Sequence, residues 1–96
     1  MQYIFIQRPG DREKIIELVA AFKLKSKEEL IEKYNNSVEV GIVGVHAQAQ
    51  MLVALRNVFN SVFGKSPITI EDNLIIGLTG KIMLIGNDWE YCQNLN

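Results

Sequence analysis

The single histidine of this chain, His46, lies within a glycine-containing stretch, GIVGVHAQAQ (41–50). An imidazole can move protons or bind ligands at neutral pH, so this histidine is the first candidate for chemistry. Helical periodicity over residues 46–63 places His46, Gln50 and Asn57 in one polar stripe. Since the rest of that helix is mostly apolar, we take these three residues as the candidate ligand-binding set.

Catalysis by His46 would require a nucleophile or a carboxylate that orients the ring. No neighbouring residue supplies either group, although Glu39 or Asp72 could approach through folding. A structural role at the start of a helix is therefore favoured over catalysis. We assign no catalytic residue, and a non-enzymatic protein is the preferred interpretation.

The glycines of the opening stretch do not form a phosphate-binding loop. A dinucleotide fingerprint requires G-x-G-x-x-G, but Ile42 occupies the position of the second glycine. No acidic residue lies between Glu39 and Glu71, so the usual ribose partner is missing as well. The later GLTGK (77–81) precedes Ile82 where a Walker A loop needs a hydroxyl. We expect no cofactor.

The composition excludes several other classes of protein. With one cysteine (Cys92) and one histidine, the chain can form neither an intrachain disulfide nor a cysteine zinc cluster, and we expect no metal site. The net charge of −1 argues against binding nucleic acid mainly through phosphate neutralisation. The N-terminus has no signal-peptide pattern, and no window is apolar enough to span a membrane. A soluble, cytoplasmic protein follows as an expectation.

The 96 residues, 48% of them hydrophobic, predict a single folded domain over 1–96. Apolar periodicities and turn residues predict elements in the order β-α-α-β-α-β-β-β. The predicted strands are 2–7, 37–45, 68–71, 73–79 and 81–86, and the predicted helices are 11–24, 26–36 and 46–63. Asp11 is predicted to cap the first helix, and Ser26 and Glu29 are predicted to form a capping box at the second. For residues 87–96 the sequence predicts a turn with a possible short strand, followed by a polar tail.

This element order predicts an α/β (α+β) fold, a two-layer sandwich with a mixed sheet and the helices mainly on one face. The other face of the sheet would be half apolar, too hydrophobic to be left in water. A second copy of the chain or another protein would cover it. The alternative is that the C-terminal segment with Trp89 and Tyr91 folds back over this face. The residues proposed for this interface are Tyr3, Phe5, Val43, Ile75, Met83 and Ile85.

Three functional hypotheses follow from these patterns. The first is a small non-enzymatic interaction module that acts as a homodimer or binds a protein partner. The second is a nucleic-acid-binding domain, since the order β-α-β-α-β-β recurs in small RNA- and DNA-binding proteins, although a shared topology does not establish function. The third is small-ligand binding or catalysis centred on His46.

Overall fold

The computed structural model describes residues 2–72 and 75–92, which form three helices and two small sheets. The predicted α+β class is confirmed. The helices α1 and α3 follow their predictions closely, and the capping box of Ser26 and Glu29 opens α2 as expected. The elements are β1 (Gln2–Ile4), α1 (Asp11–Phe22), α2 (Lys27–Val40), α3 (His46–Phe63), β2 (Thr69–Glu71), β3 (Ile75–Gly77), β4 (Ile82–Ile85) and β5 (Asp88–Tyr91).

The predicted strand over 37–45 is wrong, because α2 continues through Val40 and a loop follows. The β-branched residues Val38 and Val40 favour a strand by propensity, but tertiary packing overrides that preference. Ser37 lies one turn beyond Tyr34, is itself buried, and donates its hydroxyl to the Lys33 carbonyl at 3.1 Å. The helix ends at glycine 41, whose φ of 82° suits a residue without a side chain.

The loss of that strand changes the sheet as well. A mixed sheet was predicted because strand 37–45 would lie between two helices, and such crossovers join parallel strands. The structure has instead two antiparallel sheets, a three-stranded one in the order β1-β3-β2 and a β4–β5 hairpin. In the hairpin, β4 lies within the predicted strand 81–86, and β5 lies in the segment predicted as a turn with a short strand.

The helices pack on one face of the three-stranded sheet, and β1 presents the opposite face to the one predicted. Register places Tyr3 beside Ile76, and Ile76 beside Ile70, and these three face the core. Ile4 and Ile75 are paired on the outer face, where Ile4 is 60% exposed. Both sides of β1 carry large apolar residues, so alternation by itself could not show which side turns inward.

The core lies between α2, α3 and the two sheets. Its most deeply buried members come from all of these elements: Leu30, Tyr34, Leu52, Leu55, Val58, Phe59, Ile68, Ile76 and Ile82. The Tyr34 hydroxyl donates to the Gly80 carbonyl at 2.9 Å, and burial raises the pKa of Tyr34 to about 12. Trp89 of β5 also joins this core rather than covering the outer face of the three-stranded sheet.

Among residues 2–72 and 75–92, none of the helices combines the length and apolar character needed to cross a membrane. The first two residues of the predicted strand 73–79 and the polar tail at 93–96 lie outside the described residues.

Candidate functional site

A buried carboxylate joins the N-terminal ends of α1 and α3. Asp11, the first residue of α1, is 2% exposed. The His46 Nε2–H donates to its Oδ1 at 2.8 Å and to its Oδ2 at 3.0 Å, and Gln50 Nε2 donates to Oδ1 at 2.7 Å. We call Asp11, His46 and Gln50 the corner cluster. Two residues of the predicted ligand-binding set therefore share a partner that the sequence did not identify.

The turn before α1 directs Asp11 toward α3. Gly10 adopts a left-handed conformation at φ 89°, and the Asp11 N–H donates to the Arg8 carbonyl at 3.1 Å. The Arg8 backbone N–H in turn donates to Asp11 Oδ2 at 2.6 Å. Asp11 was predicted as the N-cap of α1, but Gly10 holds that position and no side chain caps the helix. The carboxylate bonds instead to the preceding turn and to α3.

These contacts decide the charge of Asp11. Burial raises the pKa of the carboxyl, but the hydrogen bonds from Arg8, His46 and Gln50 and the attraction of His46 act in the opposite direction and prevail. The pKa of Asp11 is therefore below its ordinary value of 3.8. A carboxylate that accepts this many bonds stays ionised at neutral pH and orients its donors.

Phe5 connects the corner cluster to a groove. Its ring stacks on the His46 imidazole, with ring centroids 5.1 Å apart and an interplanar angle of 16°. Phe5 also lines the groove, which has a volume of about 450 Å³ and lies between α1, α3 and the three-stranded sheet. We call it the α1–α3 groove. Its lining consists of Phe5, Gln7, Arg12, Ile15, Ile16, Val53, Arg56, Asn57, Ile70 and Ile76.

The predicted ligand-binding residues thus divide into two groups. Asn57 lines the groove directly, whereas His46 and Gln50 bond to Asp11 beside it. Spacing on α3 explains this arrangement, because the three residues follow one helical face and Asn57 lies about two turns beyond Gln50. The His46 side chain is 16% exposed.

Two arginines in the groove were not predicted as site residues. Arg12 comes from α1 and Arg56 from α3, and no acidic residue joins them in the lining among the described residues. The ion pairs within 2–72 and 75–92 use lysines and His46, and neither arginine takes part in one. Amphipathic spacing could have suggested Arg12, since Ile15 and Ile16 follow it by three and four residues.

The other carboxylates considered for His46 lie elsewhere. Glu39 faces Lys81, with 3.4 Å between Oε2 and Nζ, and Asp72 is exposed in a turn. The loop 41–45 before His46 is held by Gln48, whose side chain accepts from the Val43 N–H at 3.0 Å and donates to the carbonyl of residue 41 at 2.8 Å. Loop and helix are thereby joined at the start of α3.

The six predicted interface residues do not share one face. Tyr3 and Phe5 point inward, while Ile75 lies on the outer face of the three-stranded sheet. Val43 is 61% exposed in the loop before α3. Met83 and Ile85 alternate with core residues on β4, and both are exposed on the separate hairpin.

No group of three or more His, Cys, Asp or Glu side chains within the described residues is arranged to hold a metal ion. Compared with known proteins, the chain matches no family model, no curated protein and no solved structure.

Proposed function

We propose that this protein is a non-enzymatic binding module whose α1–α3 groove takes a small molecule with an apolar body. The observation that carries the proposal is the groove itself. Its volume of about 450 Å³ is in the range of small-molecule sites, and six of its lining side chains are apolar. A few polar groups among apolar walls are the composition expected of such a site.

Binding is favoured over catalysis by the state of the polar groups. His46 Nε2 and both Asp11 oxygens are already hydrogen-bonded within the corner cluster. The groove lining, as far as the described residues define it, has no hydroxyl or thiol to act as a nucleophile. In this proposal the corner cluster acts as support, because it holds the two helices and Phe5 that form the walls.

A titration with octanol tests the proposal, followed by amide chemical shifts in ¹H–¹⁵N spectra. We expect saturable shifts at Ile15, Val53 and Ile76, which line the groove on three different elements. Ile16→Ser shortens an apolar wall residue that is 58% exposed, so the fold should tolerate the change. Affinity for octanol should fall by about threefold to tenfold, the effect of losing part of the apolar contact.

Leu24→Ser provides the matched control, since Leu24 is 88% exposed and lies outside the groove lining. This variant should bind octanol as the parent chain does. Shifts that map to another surface would contradict the proposal, as would the lack of saturable binding by octanol and by eight-carbon amphiphiles with charged head groups.

Self-association is a second candidate function, favoured by the outer face of β1. Ile4 of β1 is 60% exposed and Ile75 lies beside it across the strand pair, while Ile6, two residues beyond the strand, is 69% exposed. β1 is also an edge strand, so a second copy could pair with its free backbone groups. We propose Ile4, Ile6 and Ile75 as the centre of a homodimer contact, in place of the inward-facing Tyr3 and Phe5.

Light scattering at tens of micromolar protein tests this candidate. The parent chain should show twice the mass of one chain, and Ile6→Lys should show the monomer mass because it places a charge in the contact. Leu24→Lys, the same change at another exposed apolar site, should leave the dimer intact. A parent chain that is monomeric at this concentration excludes the contact.

A further inference from the structure

We infer that the ligand of the α1–α3 groove is an amphipathic anion, with its acidic head bound by Arg12 and Arg56 and its apolar tail along the groove. This inference rests on the proposed function. It adds the chemical class of the ligand, an aliphatic body that ends in a carboxylate or a phosphate.

Each helix presents an arginine and at least one apolar side chain to the groove, one turn apart and in opposite order along the chain. On α1, Arg12 precedes Ile15 and Ile16 by one turn, and on α3 Val53 precedes Arg56 and Asn57 by one turn. Residues three and four apart on a helix share a face, so each guanidinium lies beside apolar wall. A ligand that fills this groove meets both kinds of surface at once.

The charge of the groove selects the sign of the head group. Its lining carries two guanidinium groups, which are positive at any physiological pH, and no carboxylate among the described residues. Arg56 is partly buried, and it has no ion-pair partner within 2–72 and 75–92. An anion placed between the helices would compensate the lost hydration of this group.

Neutral donors complete the site for the head group. Asn57 follows Arg56 directly on α3, and Gln7 lines the groove on the segment that leads to α1. Their amide N–H groups can donate to a carboxylate or phosphate oxygen, as the guanidinium groups do. The nearby acid, Asp11, is buried outside the groove lining, and its oxygens already accept from Arg8, His46 and Gln50, so they do not occupy the arginine donors of the groove.

The test compares four eight-carbon amphiphiles that differ in the head group: octanoate, octyl phosphate, octanol and octylammonium. Each is titrated into the full chain below the concentration at which it forms micelles or separates from water, again followed by amide shifts. We expect the two anions to bind at least about tenfold more tightly than octanol, and octylammonium to bind most weakly. Preference between the two anions shows whether the natural head is a carboxylate or a phosphate, and either preference supports the inference.

Variants of the arginines localise the effect. Arg12→Gln and Arg56→Gln should each lower octanoate affinity about tenfold and leave octanol affinity within about twofold. Arg8→Gln removes the same charge from the one other arginine of the chain, whose side chain is outside the groove lining, and should change neither affinity appreciably.

The possible results distinguish failure of this inference from failure of the proposed function. Equal binding of octanol and octanoate, or the tightest binding by octylammonium, would overturn the inference and leave the groove as a binding site. Equal losses in Arg8→Gln and Arg56→Gln would overturn it too, since only overall charge would matter. If no member of the series binds, the proposed function itself fails.

Discussion

Asp11→Ala is expected to lower the melting temperature by roughly 10 °C or more, because three donors lose one buried acceptor at the same time. His46, Gln50 and the Arg8 backbone N–H all bond to this carboxylate, and the site is almost closed to water. Removing the acceptor leaves those donors unpaired where α1 meets α3. Circular dichroism melts at neutral pH measure the effect.

Glu13→Ala is the matched control for Asp11→Ala. It removes the same charge from the same first turn of α1, but Glu13 is exposed and takes part in no ion pair among the described contacts. Its melting temperature should stay within a few degrees of the parent value. If Asp11→Ala and Glu13→Ala lowered the melting temperature by similar amounts, charge at the helix N-terminus, and not the corner cluster, would stabilise this end of the fold.

The corner cluster also predicts how stability depends on pH. The pKa of Asp11 is lower in the folded chain than in the unfolded one, so the unfolded state binds more protons in acid. The contribution of Asp11 is therefore complete above its ordinary pKa of 3.8 and is lost as the pH falls through the lower folded value. Hydrogen bonds with Ser26 also lower the pKa of Glu29, so Glu29 contributes to the same dependence of stability on pH. The contribution of Asp11 is therefore the difference between the parent and Asp11→Asn, which has no carboxyl group at this position.

Local sequence patterns predicted which residues of the candidate site share one face of α3. The polar stripe of His46, Gln50 and Asn57 follows from helical spacing, and the structure places all three at the corner cluster or in the groove. Asp11 was recognised as a residue at a helix start, but its partner is 35 positions away. Capping residues and buried acceptors share the same sequence signature, so a single sequence could not distinguish them.

The errors in the fold have a similar origin. The helix α2 passes through residues with strand propensity because Tyr34 and Ser37 continue its buried face, and that face exists only once the sheets are in place. The predicted helix over 26–36 ends at Asn35 and Asn36, because asparagine is one of the residues found where helices stop. Asn35 instead lies within α2 and bonds to the hairpin. Its role depends on a strand that begins 47 residues later, at Ile82.

Asn35→Ala is expected to destabilise the protein by about 2–4 kcal/mol, since two buried backbone groups lose their partner. The Asn35 Nδ2 donates to the Ile82 carbonyl at 2.8 Å, and the Ile82 N–H donates to Asn35 Oδ1 at 2.8 Å. The carboxamide therefore pairs with β4 as a neighbouring strand would, on the side that β5 does not cover. Ile82 is 1% exposed, so water does not readily replace these bonds. Urea unfolding gives the change in free energy.

Asn36→Ala separates this bridge from the helical preference of alanine. Asn36 is exposed on the same helix, and the same substitution there should stabilise the chain slightly, by at most about 0.7 kcal/mol.

Asn35→Asp gives a second check, because it keeps an acceptor for the Ile82 N–H but turns a carboxylate oxygen toward the Ile82 carbonyl. It should be at least as unstable as Asn35→Ala at neutral pH and should recover in acid, where a protonated carboxyl can donate. If all three variants unfold at the urea concentration of the parent, the side chain of Asn35 does not anchor β4.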